Sequence, residues 1–77
     1  MTKRDEILGE ISVETTKAMN KHGPVHSLHE AYGLIAEELA EFFDEVRKKS
    51  AKRNLKNTRK ELVQVAAMCV KTIENLL

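Results

Sequence analysis

Seventy-seven residues make one small domain. A chain of this size buries only about 60% of the surface it exposes when unfolded, so a lone copy has little core to rely on. Hydrophobic residues at 42% and charged residues at 32% exclude a disordered chain, while a net charge of +1 excludes neither a polyanionic partner nor a neutral one. The single cysteine, Cys69, leaves no internal disulfide to form. The opening Met1–Glu6 carries no apolar signal segment, and no apolar run reaches the ~20 residues of a bilayer span, so a cytoplasmic setting with no membrane partner is expected.

A first helix is expected over about residues 3–21. Thr2, with Asp5 three positions on, is a capping pair. Ile7, Leu8, Ile11, Thr15, Ala18 and Met19 then recur at helical spacing. Gly23-Pro24 is the one strong break. Ser27 followed by Glu30 makes a second capping box, which starts a second helix at Leu28. Its stripe of Ala31, Leu34, Ile35, Leu39, Phe42 and Val46 carries that helix to about residue 50. Tyr32 and Phe42 read as core aromatics rather than base-stacking platforms.

The third helix, over about residues 55–76, can be capped by Asn54, Asn57 or Thr58. A start near Asn54 leaves Glu61 free, whereas a start at Thr58 commits Glu61 to a capping box. Leu62, Val63, Val65, Ala66, Ala67, Met68, Cys69 and Val70 are nearly uninterrupted, and Cys69 reads as an inert core residue. A helix apolar on nearly every side is usually enclosed, and two partner helices can hardly enclose it. The expected fold is all-α: three helices per chain in an antiparallel helical bundle completed by oligomerisation, as a dimer or tetramer. Nothing alternates like a strand.

Charge is segregated. Glu30 to Glu45 holds six acidic residues and no basic one, and Arg47 to Lys60 holds eight basic residues and no acidic one. Cations at the end of the second helix complement its dipole, and Lys52, Arg53, Lys56, Arg59 and Lys60 are also candidates for holding phosphates. Nucleic-acid binding is disfavoured, because no aromatic residues interleave with this charge. His22, His26 and His29 have metal-like spacing, but Gly23-Pro24 keeps the first off the face of the others.

The acidic residues carry the chemistry. Glu37-Glu38-Leu39-Ala40-Glu41 lies on the second helix and Glu61-Leu62-Val63-Gln64 opens the apolar third one. At about 100° per residue, Glu38 sits at the edge of the apolar stripe beside Ile35 and Phe42. Glu41 and Glu45 lie slightly further round, and Glu37 is the most outward. Glu61, Gln64, Met68 and Lys71 form the least apolar stripe of the third helix. If the two helices pack antiparallel, these flanks meet. Carboxylates beside apolar surface are costly unless paired or bound to a cation, and oxygen ligands suit a hard divalent one.

Glu-Glu-x-x-Glu, a spacer of 19 residues and then Glu-x-x-Gln resembles the signature of the MazG-like all-α nucleoside triphosphate pyrophosphohydrolases, whose pattern ends in Glu-x-x-Asp. His22-Gly23-Pro24 through Val46 is similar to the short stand-alone members of phages and bacteria. The resemblance spans roughly residues 22–77, and the first helix is generic. It implies a dimer or tetramer that binds Mg²⁺ (or Mn²⁺) and cleaves a nucleoside triphosphate substrate to the monophosphate and pyrophosphate. Carried over, Glu38, Glu41, Glu61 and Gln64 would hold metal, with Glu38 and Glu41 also the candidates for general base. Glu37 and Glu45 would be auxiliary. Lys56, Arg59, Lys60, Lys71 and His26 would contact phosphate or nucleotide. Gln64 stands where the family has an aspartate, so the site carries one negative charge fewer. The alternatives are a non-catalytic helical oligomer or nucleotide-binding module with a degenerate metal site, and a small nucleic-acid-binding protein.

Overall fold

The computed structural model describes all 77 residues as three α-helices without a strand: α1 Lys3–His22, α2 Leu28–Val46 and α3 Leu55–Leu76, with a short 3₁₀ turn at Ser50–Lys52. No helix is long and apolar enough to cross a membrane. Each helix start is fixed by a side chain. The Thr2 hydroxyl accepts from the Asp5 N–H at 3.1 Å and the Asp5 carboxylate accepts from the Thr2 N–H at 3.0 Å. That second bond favours the charged form and holds the Asp5 carboxyl below its ordinary range. α1 stops at Gly23, whose N–H reaches Met19 O at 2.8 Å. Its φ of +73° suits a residue without Cβ, and Pro24 follows.

Ser27 caps α2 by accepting from the Glu30 N–H at 3.0 Å. The box expected there is only half made, because the Glu30 carboxylate turns to His26 Nδ1 at 3.5 Å. α2 ends at Val46, short of the expected residue 50. The Arg53 guanidinium donates to Val46 O at 2.5 Å and Lys48 O at 3.1 Å, taking carbonyls that a continuing helix would offer to residues 50 and 52. Asn54 caps α3, its side chain accepting from the Lys56 and Asn57 N–H groups at 3.0 and 3.2 Å. Thr58 instead bonds back to Asn54 O. Glu61 is therefore inside the helix and free of capping duty.

The helices run up, down and up, with α3 in the middle. α1 and α2 each pack on α3 and not on each other. The Glu10–Arg59 ion pair at 2.8 Å and the Val25 N–H donating to Asn75 Oδ1 at 2.7 Å set α1 parallel to α3. Within one chain the expected bundle is thus an open layer, with extents of 40 × 33 × 19 Å. Its core is small: Val25, Ala31 and Met68, with Leu34, Ile35 and Leu76 packed against them. Only seven of 77 residues are buried, far too few to cover an apolar α3.

Several residues expected inside lie outside. Tyr32 is 77% exposed, and Leu8 and Leu39 are more than half exposed, because they sit past the edge of the stripes that meet α3. Cys69 is exposed as well, on the side of α3 that neither neighbour reaches. Phe42 is half-buried, as expected.

Val25 is nearly inaccessible, and its N–H depends on Asn75 alone. Asn75→Ala should lower the stability to chemical denaturation by about 1–3 kcal/mol, the cost of a buried donor left without an acceptor. A variant whose denaturation midpoint stays at the wild-type value would show that water replaces the amide.

Candidate functional site

Because α2 runs antiparallel to α3, the acidic flank of one helix meets the start of the other. Glu38, Glu41 and Glu61 each offer a carboxylate oxygen, and these oxygens lie within 4.8 Å of one another. Three carboxylates from two helices thus converge on a space that one directly ligated cation could fill. Glu38 and Glu61 are half-buried, and Glu41 is exposed. One oxygen of Glu38 (Oε2) and one of Glu61 (Oε2) are shut off from solvent with no hydrogen-bond partner. Buried polar atoms are normally satisfied, so these two call for a cation or a proton.

The electrostatics agree. Burial, and then the negative charges of Glu41 and Glu61, push the Glu38 carboxyl above its ordinary value. Glu61 is raised by burial and then by Glu41, with Lys60 pulling weakly the other way. The donor set is all oxygen, which fits a hard divalent cation rather than zinc or another sulfur- and nitrogen-seeking metal.

Two of the three, Glu38 and Glu41, line a cleft between α1 and α2 with a volume of about 470 Å³. Glu38, Glu41 and Gln64 line one side, so Gln64 is placed beside the carboxylates. Ala67 and Met68 make the floor. The opposite wall belongs to α1 and carries Glu14, Lys17, Lys21 and His22. Glu14, Lys17, Ala18 and Lys21 recur at i, i+3, i+4 and i+7, one face of a helix. That spacing was readable in the sequence. What it meets was not, since it depends on α1 and α2 being held apart.

The remaining candidates lie elsewhere. Glu45 is outside the trio: its Oε2 takes the Lys48 ammonium at 2.6 Å, and its other oxygen is buried without a partner. Glu37 is exposed and acts on Glu38 only through its charge. Lys56, Arg59 and Lys60 line a different groove, between α1 and the start of α3, and Arg59 is already engaged by Glu10. His26 is exposed and faces Glu30. Lys71 is 3% exposed, on the stripe of Gln64 and Met68, and makes no hydrogen bond or ion pair.

A carboxyl whose pKa is raised in the folded chain holds more protons there than in the unfolded chain over the interval between the two values, so stability falls as pH rises through that interval. In EDTA, melting temperature should therefore fall as pH climbs from about 4.5 toward neutrality. Glu38→Gln should flatten much of that slope and melt higher at pH 7. Mg²⁺ or Mn²⁺ should raise the wild-type melting temperature at pH 7 and leave that of the variant unmoved. A wild type indifferent to both cations would remove the metal centre.

No family model matches the chain, and neither does any curated protein or solved structure. What the site can do is therefore drawn from its own residues.

Proposed function

We propose that this chain is a Mg²⁺- or Mn²⁺-dependent nucleoside triphosphate pyrophosphohydrolase of the MazG-like kind, working as a homo-oligomer. The observation that carries the reading is the convergence of Glu38, Glu41 and Glu61, the first two lining a cleft, with one oxygen each of Glu38 and Glu61 buried and unpartnered. Glu38, Glu41 and Glu61 would hold the cation, and the Gln64 amide oxygen would be a neutral ligand beside them. A hard cation there supplies positive charge against the phosphate oxygens and makes water easier to deprotonate.

The chain's own part is positioning and proton transfer. Water attacks the α-phosphorus, the bond to the bridging oxygen of the β-phosphate breaks, and pyrophosphate leaves with the electron pair. The proton of the attacking water passes to a glutamate, and Glu41 and Glu38 are the carboxylates placed to take it. Glu41, the most accessible of the three, lines the cleft.

The oligomer is supported by what one chain leaves uncovered. Leu39 and Phe43 on α2 and Leu62 and Ile73 on α3 are about half exposed. At 100° per residue they fall on the flank of their helices turned away from the acidic trio. Covering such side chains is what association of a small helical chain can supply, and a second copy offers the same surface in return.

Incubation with each common NTP and dNTP plus Mg²⁺ or Mn²⁺ should release monophosphate and pyrophosphate from at least one of them. Glu38→Gln should lose that activity while keeping its helical circular dichroism. Silence across the panel would instead favour the non-catalytic module, and Gln64→Asp would then be the variant to assay. Light scattering at micromolar concentration should give a dimer or larger, and Ile73→Glu should lower the mass. A wild-type monomer would remove the oligomer.

A further inference from the structure

The cleft has two walls of opposite sign that do not neutralise each other. On the α2 side stand Glu38 and Glu41, and on the α1 side Lys17, Lys21 and His22, with the half-buried Glu14 one turn before Lys17 offsetting part of that positive charge. The chain's ion pairs are His26–Glu30, Arg47–Asp44, Lys48–Glu45 and Arg59–Glu10, so none crosses the cleft and none involves Lys17 or Lys21. Opposite charges sharing one small cavity ordinarily collapse into contact or are bridged by something between them. Here α1 and α2 are each seated on α3 and do not touch, so the packing holds the walls apart.

A lone anion drawn to the lysines would face the glutamates, and a lone cation drawn to the glutamates would face the lysines. An anion that carries its own divalent cation meets both walls with the right sign. The volume of about 470 Å³ lies within the range of small-molecule pockets.

We propose that Lys17 and Lys21, with His22 beside them, are the seat of the substrate's polyphosphate chain, which bridges from these cations to the metal held by the glutamates. This assignment rests on the hydrolase reading for the nature of the ligand and not for the charge arrangement of the cleft. It replaces the basic stretch Lys56–Lys60 as phosphate seat, since Lys56, Arg59 and Lys60 open only onto the other groove, whereas Lys17 lines both and Lys21 and His22 line this cleft alone. Met68 and Ala67, buried in the floor, present apolar surface to whatever the phosphate chain carries. The cations also lie in the last turns of α1, where they complement the helix dipole without any ligand. A purely local role of that kind would affect helix stability and leave phosphate binding alone.

The test is calorimetric titration of the full chain with inorganic tripolyphosphate, with Mg²⁺ and with EDTA. Wild type should bind tripolyphosphate in Mg²⁺ and much more weakly in EDTA. Lys17→Met with Lys21→Met, which keeps the apolar stems, should weaken binding by about tenfold per lysine, the loss expected for a hydrogen bond to a charged group. Mn²⁺ titrated alone should bind this variant no more weakly than wild type. Lys56→Met with Lys60→Met should bind tripolyphosphate as wild type does.

A wild type that ignores tripolyphosphate, a Lys17/Lys21 variant that binds it unchanged, or a loss confined to the Lys56/Lys60 variant would each overturn the assignment. The two proposals fail separately. Lysine-dependent tripolyphosphate binding with no turnover of any nucleotide keeps the seat and sinks the hydrolase. Turnover whose KM is indifferent to Lys17 and Lys21 does the reverse.

Discussion

Everything in this chain depends on α3 having two neighbours that do not have each other. In a closed three-helix bundle each helix shields the other two, and the axis fills with side chains. Here α1 and α2 are both committed to α3, so the place where they would have met is a cleft instead of a core. That arrangement keeps the core to a few residues. It also gives the chain a concave surface with a floor from one helix and walls from the other two.

The same geometry explains where the acidic residues stand. Glu38 is spaced with Ala31, Ile35 and Phe42, residues that turn toward α3. It is therefore drawn inward by the hydrophobic packing of its own helix and held near Glu61, whose charge it repels. Like charges are tolerated at such a spot when one is protonated or a cation lies between them. The stability lost to this crowding is the kind of local cost that sites of chemistry carry.

Much of the fold was legible in the sequence because it is written in short-range chemistry. Thr2, Ser27 and Asn54 announce the helix starts, and Gly23-Pro24 announces a stop. The trio was legible too, because Glu38 and Glu41 share a helical flank and Glu61 is set at the beginning of the next helix. Where the reading went astray, the deciding interaction was long-range or rotational. Nothing local marks Val46 as the end of α2: that end is made by Arg53 reaching back seven positions. Tyr32 and Cys69 are apolar enough for a core, and only the angular position of α3's neighbours leaves them outside. The cation wall went unread because Lys17 and Lys21 are ordinary surface lysines until α1 is placed opposite α2.

The parallel docking of α1 on α3 also sets an order of assembly. Its fixed points, Glu10 with Arg59 and Val25 with Asn75, join residues 49 and 50 apart. The α2–α3 hairpin closes over only about 20, at an entropic cost lower by about 0.8 kcal/mol. Local pairs generally form ahead of distant ones. The hairpin, carrying all three carboxylates, should therefore be the early folding unit, with α1 arriving last. A nascent chain would gather its negative charges before it has a concavity to put them in, and the final docking step would bring the opposing positive wall.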